Sequence, residues 1–488
     1  MLNRRKLLTY MVASGGTVLL SQCNRKTISQ GPAMANTHIS QDGLLSVEMV
    51  AQETPIQLGR NRLVQWGYNG QIPGPKLEAK PGDTIKINFQ NQLIQPTNLH
   101  YHGLHIPPTG TADNVFISVP PGEEFRYEFR LPEHHPSGTF WYHPHHHGQV
   151  AEQVFKGLVG LLIVRGELDE IPEVKAASEQ FLVIKDFTAN PNPNVFPGAI
   201  MLGREGELVT VNGKIKPDFL IPAQGLVRLH LLNASSSRFY RLSLAEHPFY
   251  LIATDGGAIS EPVELTELLL APGERAQVLI KGDRPPSEYT LSTLPYDRGT
   301  VGMMGHMGLS SSSSQTQAIA TFKYTEAVTP IPLPKTLIPI KPLPEAQTLR
   351  RFVLNHGMSP GMGMVFLINN QAFDHQRIDI QAPLNQIEDW EIINQGAMDH
   401  PFHIHVNSFQ VISRNQVPEP LVAWKDVVNV RRGETVRLRM QYQDFVGKTV
   451  YHCHILDHED QGMMGMLEIS DQEAKPIGSS ALDSAPFS

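Results

Sequence analysis

The chain has 488 residues, with 40 Lys and Arg against 48 Asp and Glu for a formal charge of -8. That length suggests about three domains at roughly 150 residues each, and with no basic excess to neutralise phosphates, nucleic acid is excluded as the main partner. Hydrophobic residues at 41% exclude a polytopic membrane protein, two cysteines exclude a disulfide framework, and 39 Gly with 38 Pro favour a turn-rich β protein.

Residues 1–36 read as an export signal and a disordered start. Arg4, Arg5 and Lys6 precede an apolar stretch from Leu7 to Leu20 that is too short and too interrupted to span a membrane. Arg4-Arg5 followed by Leu7-Leu8 resembles a twin-arginine signal, and Leu20-Ser21-Gln22-Cys23 resembles a lipoprotein cleavage box, although Gln22 stands where a small residue is usual. The expectation is an exported protein of the periplasm or cell envelope, with Cys23 as a candidate lipid anchor. Cys453 would then be a lone thiol in an oxidising compartment.

Further along, apolar residues alternate with period two in DTIKINF (Ile85, Ile87, Phe89), EEFRYEF (Phe125, Tyr127, Phe129) and ETVRLRM (Val436, Leu438, Met440), which predicts half-buried strands. Each follows a glycine turn: Pro81-Gly82-Asp83, Pro121-Gly122-Glu123 and Arg432-Gly433-Glu434, with Pro272-Gly273-Glu274 as a fourth. A strand ending in Asn, a loop and a second strand recur around Asn91, Asn233 and Asn394, spaced 142 and 161 residues apart. Tyr142-His143-Pro144-His145 also aligns with Tyr451-His452-Cys453-His454, and Gly157 to Gly160 with Gly462 to Gly465. A repeat of this size predicts one sandwich copied three times. The expected domains are 37–170, 171–328 and 346–472, with a Pro-rich extended linker at 329–345 and a disordered tail at 473–488. In the middle copy Arg238, Phe239 and Arg241 occupy the places of histidines in the others, so it is expected to be a metal-free spacer.

With His105, His146 and His147 beside them, ten of the 21 histidines lie in four short segments. They are His100-Tyr101-His102, His143-Pro144-His145, His400-Pro401-Phe402-His403-Ile404-His405, and His452-Cys453-His454 followed by His458 and Met463. Residues i and i+2 of a strand share a face, so two such pairs from each of two domains can converge eight imidazoles. Unligated, they would be costly to desolvate and repulsive if protonated. The last segment adds a thiolate and a thioether, the donors of a trigonal blue-copper site. Structural zinc closes with four ligands and has no use for an axial Met. Buried structural histidines would not explain why the set vanishes from the middle copy.

Over roughly residues 45–470 these motifs resemble the multicopper oxidases, in particular the three-domain bacterial branch of copper-efflux oxidases, spore-coat laccases and bilirubin oxidases. The resemblance implies an all-β chain of three cupredoxin-like Greek-key sandwiches holding four copper ions. It implies that His400, Cys453, His458 and Met463 bind the type 1 copper, and His100 and His403 the type 2 copper. His102, His143 and His454 would bind one type 3 copper, and His145, His405 and His452 the other. A small reducing substrate (a phenol, aromatic amine, pigment or metal ion) would give up single electrons near His458 at the surface, and four electrons would reduce O2 to water. Glu459 and Asp113 resemble the family's proton-relaying carboxylates. His105, His146 and His147 fall out of phase with the ligands, and His134-His135 reads as a loop pair. Met303, Met304 and Met307, and Met358, Met362 and Met364, raise the alternative of a cuprous oxidase serving copper tolerance. A second alternative is a non-catalytic copper-binding envelope protein. A copper nitrite reductase fits less well, because it needs no His-Cys-His strand. Three tethered domains suffice to build the site, so a monomer is expected.

Overall fold

The computed structural model describes residues 36–189, 201–300, 315–359 and 363–471. The expectations for Arg4, Arg5, Cys23, the tail at 473–488, and Met303, Met304, Met307 and Met362 lie outside them.

Each predicted alternating segment is a strand: Thr84–Asn91, Glu124–Arg130 and Thr435–Gln441. They bury Ile85, Ile87, Phe89, Tyr127, Phe129, Val436, Leu438 and Met440. Six sheets pair into three sandwiches. In the first, Asn61–Tyr68, Leu44–Leu58, Thr84–Asn91 and Glu124–Arg130 form one sheet. Thr37–Ile39, Lys76–Ala79, Gly160–Val164, Gly138–His143 and His100–His102 form the other. The third sandwich places Cys453 and its neighbours in the sheet of Ile380–Pro383, Met464–Ser470, Gly447–Cys453, His400–Ile404 and Val427–Val430. In both terminal copies the histidine strands are thus hydrogen-bonded neighbours: His100 pairs with His143, and His403 with His452.

The repeated asparagines explain why the same corner forms three times. Asn91 Nδ2 donates to the carbonyls of Gln95 and Val119, Asn233 Nδ2 to those of Arg238 and Leu270, and Asn394 Nδ2 to those of Met398 and Val430, all at 2.8–2.9 Å. Each Oδ1 accepts the amide two residues on, from Leu93, Ser235 or Gly396. The amides of Gly122, Gly273 and Gly433 donate to the same three asparagine carbonyls. Their φ values of 81°, 83° and 71° are ones that glycine adopts without strain. Pro81-Gly82-Asp83 differs: Gly82 donates to Leu131 instead, so that turn belongs to another corner of the first sandwich.

The sandwiches also share apolar cores. Trp141, Val150, Val154 and Leu161 of the first pack with Val183 and Leu232 of the second and Leu456 of the third. Residues 328–346 form no strand; Leu337 donates to Ser260 and Leu343 to Gln410 as this segment crosses from the second copy to the third.

Replacing Asn394 by Ala strands two buried carbonyls and the Gly396 amide. A loss of about 1–3 kcal/mol is expected, read as a lower midpoint of thermal unfolding. An unchanged midpoint would show that the corner holds without its side chain.

Candidate metal centre

The extended backbone at each His-x-His turns its rings into the seam between the first and third sandwiches. There the two copies interleave. The rings of His100 and His405 stack at 3.9 Å between centroids, and those of His102 and His403 at 3.8 Å. All eight histidines of the four His-x-His pairs are buried.

Their outward hydrogen bonds decide which nitrogen faces inward. A carbonyl can only accept, so each ring nitrogen beside one must be the N–H. His143 Nδ1 donates to the Pro144 carbonyl, His452 Nδ1 to that of Cys453, and His403 Nδ1 to that of Asp426. His100 Nδ1 lies 2.7 Å from Asp113 Oδ1, and His102 Nε2 lies 3.0 Å from Asp426 Oδ1. His143, His403 and His452 therefore present a bare Nε2 inward, and the inner ring nitrogens of the cluster crowd together. His452 Nε2 sits 3.2 Å from His145 Nε2 and 3.1 Å from His405 Nε2, and His143 Nε2 sits 3.4 Å from His102 Nδ1. His100 Nε2, His403 Nε2 and both nitrogens of His454 are buried with no hydrogen-bond partner.

Such crowding of desolvated acceptors is unfavourable unless a cation lies among them. Burial lowers His143 to about 3 and His145 to about 4, and repulsion from neighbouring imidazoles adds to it. Neutral imidazole is the metal-binding form.

A second donor set lies in the third sandwich. Cys453 Sγ is 3.4 Å from His400 Nδ1 and 3.8 Å from His458 Nδ1, and the two nitrogens are 3.3 Å apart. Met463 is buried in the same core, and its carbonyl accepts the Cys453 amide. Burial lowers His400 to about 3 and pushes the Cys453 thiol up, so a thiolate here needs a cation beside it. Two imidazoles and one sulfur in a plane-like group suit copper.

The expected surface exposure of His458 is not found. Its side chain is fully buried, stacked on Phe366 at 3.7 Å, with Nε2 donating to the Met201 carbonyl. The segment carrying Met201 caps the imidazole edge, so a substrate meets that cover rather than the ring.

Both predicted carboxylates reach the seam. Asp113 accepts the Tyr101 amide, and its Oδ2 faces His405 Nδ1 at 3.5 Å; burial pushes its carboxyl up to about 7. Glu459 lies 3.1 Å from His452 Nδ1 and 3.5 Å from His145 Nε2. Burial alone would raise its carboxyl, but the imidazoles of His452 and His145 outweigh burial and hold it below the usual range. Of the out-of-phase histidines, His146 bonds Ser118 and His147 lies exposed against Phe373.

The middle sandwich is more than a spacer. Arg238 pairs with Asp186 and Glu205 and Arg241 pairs with Glu267, while Phe239 stacks on Tyr296 and packs into the core that holds Cys453 and Met463. Yet its Arg275 crosses into the seam and forms a two-pronged pair with Asp426, both bonds at 2.6 Å. Arg275 also donates to the Thr139 carbonyl of the first sandwich. Asp426 in turn orients both His102 and His403. A Cβ on Gly103, at φ 86°, would collide with this pair, and one on Gly273 would meet the His454 ring. Spacing gave no hint of Asp426 or Arg275, because neither lies in a histidine motif.

Three all-β sandwiches with an imidazole cluster at one seam and a cysteine–histidine set inside the third define a copper oxidoreductase. Multicopper oxidase family profiles match residues 50–169, 180–327 and 343–473. The chain is 31% identical to "Multicopper oxidase mco" of Staphylococcus haemolyticus, over 90% of this chain and 92% of that protein. It is 30% identical to "Cell division protein FtsP" of Photorhabdus laumondii (84% and 86%) and 27% identical to "Laccase" of Bacillus subtilis (87% and 94%). A solved structure, the multicopper oxidase from Campylobacter jejuni described as a metallo-oxidase, superposes with a TM-score of 0.78 at 32% identity, covering 90% of this chain and 96% of that one. The chain belongs to the multicopper oxidase family. It is a laccase-like, copper-dependent oxidoreductase with O2 as electron acceptor and a reducing substrate such as a phenol or a metal ion.

Asp426→Asn keeps the side-chain shape and removes the charge that Arg275 and His102 address. Copper affinity is expected to fall about 10–100-fold, measured by competition with a chelator. Unchanged retention would show that the pair does not orient the ligands.

Proposed function

We propose that the chain holds four copper ions, with the type 1 ion on His400, Cys453, His458 and Met463 and the type 2 ion on His100 and His403. The type 3 ions lie on His102, His143 and His454, and on His145, His405 and His452. The observation that supports this reading is the crowding of the His145 and His405 Nε2 atoms within 3.1–3.2 Å of the bare Nε2 of His452, which precedes Cys453 on the same strand. When bound, copper supplies one-electron acceptance from the substrate and four-electron delivery to dioxygen.

The chain's own contribution is wiring, orientation and protons. Cys453 is covalently continuous with His452 and His454, so the sulfur donor and the imidazole cluster share one backbone. Phe366 and the Met201 carbonyl fix the His458 ring and exclude water from it. Asp113, its carboxyl raised by burial to about 7, can take and release a proton beside His405, while Glu459 stands beside His145 and His452. General acid–base groups so placed contribute roughly 10²–10⁴-fold. A complete ligand set disfavours a non-catalytic envelope role despite the likeness to a cell-division protein. One chain supplies every donor, which suits a monomer. The signal-like residues 1–36 suit export to the periplasm or cell envelope, with Cys23 as a lipid anchor.

Oxidation of cuprous ion is a second reading, favoured by the packing of Met201, Met364 and Met398 together beside the His458 cover. Thioethers are soft ligands that suit Cu(I). Met358, paired with Met364 across a hairpin, is instead 76% exposed.

Cys453→Ser is expected to abolish both blue absorbance and turnover, whereas Asp113→Asn keeps copper and colour and loses about 10²-fold in kcat. A Cys453→Ser enzyme that stays blue and active overturns the assignment. For the second reading, Met201→Leu with Met364→Leu is expected to raise KM for Cu(I) and leave that for a phenol unchanged; equal KM values for Cu(I) remove it.

A further inference from the structure

His105, His134 and Asp444 meet outside the buried seam. His105 Nε2 lies 2.8 Å and His134 Nε2 lies 2.9 Å from the same oxygen, Asp444 Oδ2. The side chains are 15%, 66% and 37% exposed. The two histidines edge an open cavity of about 240 Å³ also lined by Asn407, Trp424 and Gln443. Two of the three come from the first sandwich and Asp444 from the third.

The tautomer of His105 makes this contact informative. Its Nδ1 is 2.9 Å from the Val406 carbonyl, so Nδ1 carries the hydrogen. A neutral His105 therefore presents a bare Nε2 lone pair to a carboxylate oxygen that also only accepts. The backbone holds this orientation at some cost: Val406, β-branched, sits at φ 69°, a conformation that costs about 1–3 kcal/mol. The contact calls for a second proton on the ring or for a cation between the groups.

We propose that His105, His134 and Asp444 form a surface site for a borderline divalent cation of the zinc or copper(II) class, clamping the first sandwich to the third. Two imidazoles and one carboxylate, with positions left for water, are donors that such ions accept. Ligands bound at about 2.0–2.2 Å with tetrahedral angles stand roughly 3.3 Å apart. The present separations need to open by only about half an ångström, which exposed side chains allow. His105 follows the ligand His102 by three residues and Val406 directly follows His405, so the clamp would brace the loops that leave the copper ligands. The site is separate from the twelve ligands assigned above and stands whether or not those assignments hold.

The test is calorimetric titration of zinc chloride into chelator-washed, copper-loaded enzyme, with the wild type beside His134→Ala and Asp444→Asn. Asp444 has φ 64°, which Asn tolerates, and His134 is largely exposed, so both variants retain the fold. The wild type is expected to bind one saturable zinc equivalent that both variants lose, and zinc should raise the thermal midpoint of the wild type alone. Equal zinc uptake by all three proteins overturns the proposal. So does the absence of saturable uptake in the wild type, which would leave Asp444 paired with protonated histidine.

Discussion

The structure turns on where imidazole hydrogens are spent. Carbonyls of Pro144, Cys453 and Asp426 take the Nδ1 hydrogens of His143, His452 and His403, leaving each Nε2 bare and aimed inward. A cluster of this kind is stable only around positive charge, because desolvation and mutual repulsion both oppose protonation. Metal binding is therefore built into the hydrogen-bond pattern around the cluster, and not only into the ligand list.

Holding that pattern requires all three sandwiches. The first and third supply the rings, but Asp426 aligns His102 through its carboxylate and His403 through its main-chain carbonyl, and that carboxylate is neutralised by Arg275 from the middle copy. Lys425 extends the contact by pairing with Asp255 and Glu274 of that same copy. A buried ion pair adds little net stability, but breaking one partner is severe. Loss of histidines from the middle copy thus did not make it passive. At other positions it supplies Arg275, Asp255 and Glu274, the groups that lock the seam.

The same economy shapes the path for electrons. His458 is sealed beneath Phe366 and the Met201 carbonyl, so exchange with substrate passes through that cover and not through an exposed ring edge. A dry, packed copper environment limits rearrangement of the ligands, and the cover makes loop residues far from the histidine motifs responsible for substrate choice.

The sequence by itself determined the sandwich class and the threefold repeat and singled out the histidine pairs that meet at the seam, because strand alternation and His-x-His spacing are local properties with a period of two. The asparagines at 91, 233 and 394 were legible for the same reason: each bonds within its own corner. Only the tertiary structure decided the rest. Asp426 and Arg275 are 151 residues apart, and nothing in the neighbourhood of either marks them as partners. The burial of His458 depends on Met201, 257 residues away, and the meeting of His105 with Asp444 on a carboxylate 339 residues along the chain. Contacts of that range are created when whole sandwiches dock, and docking is governed by surface shape and charge that no short motif records.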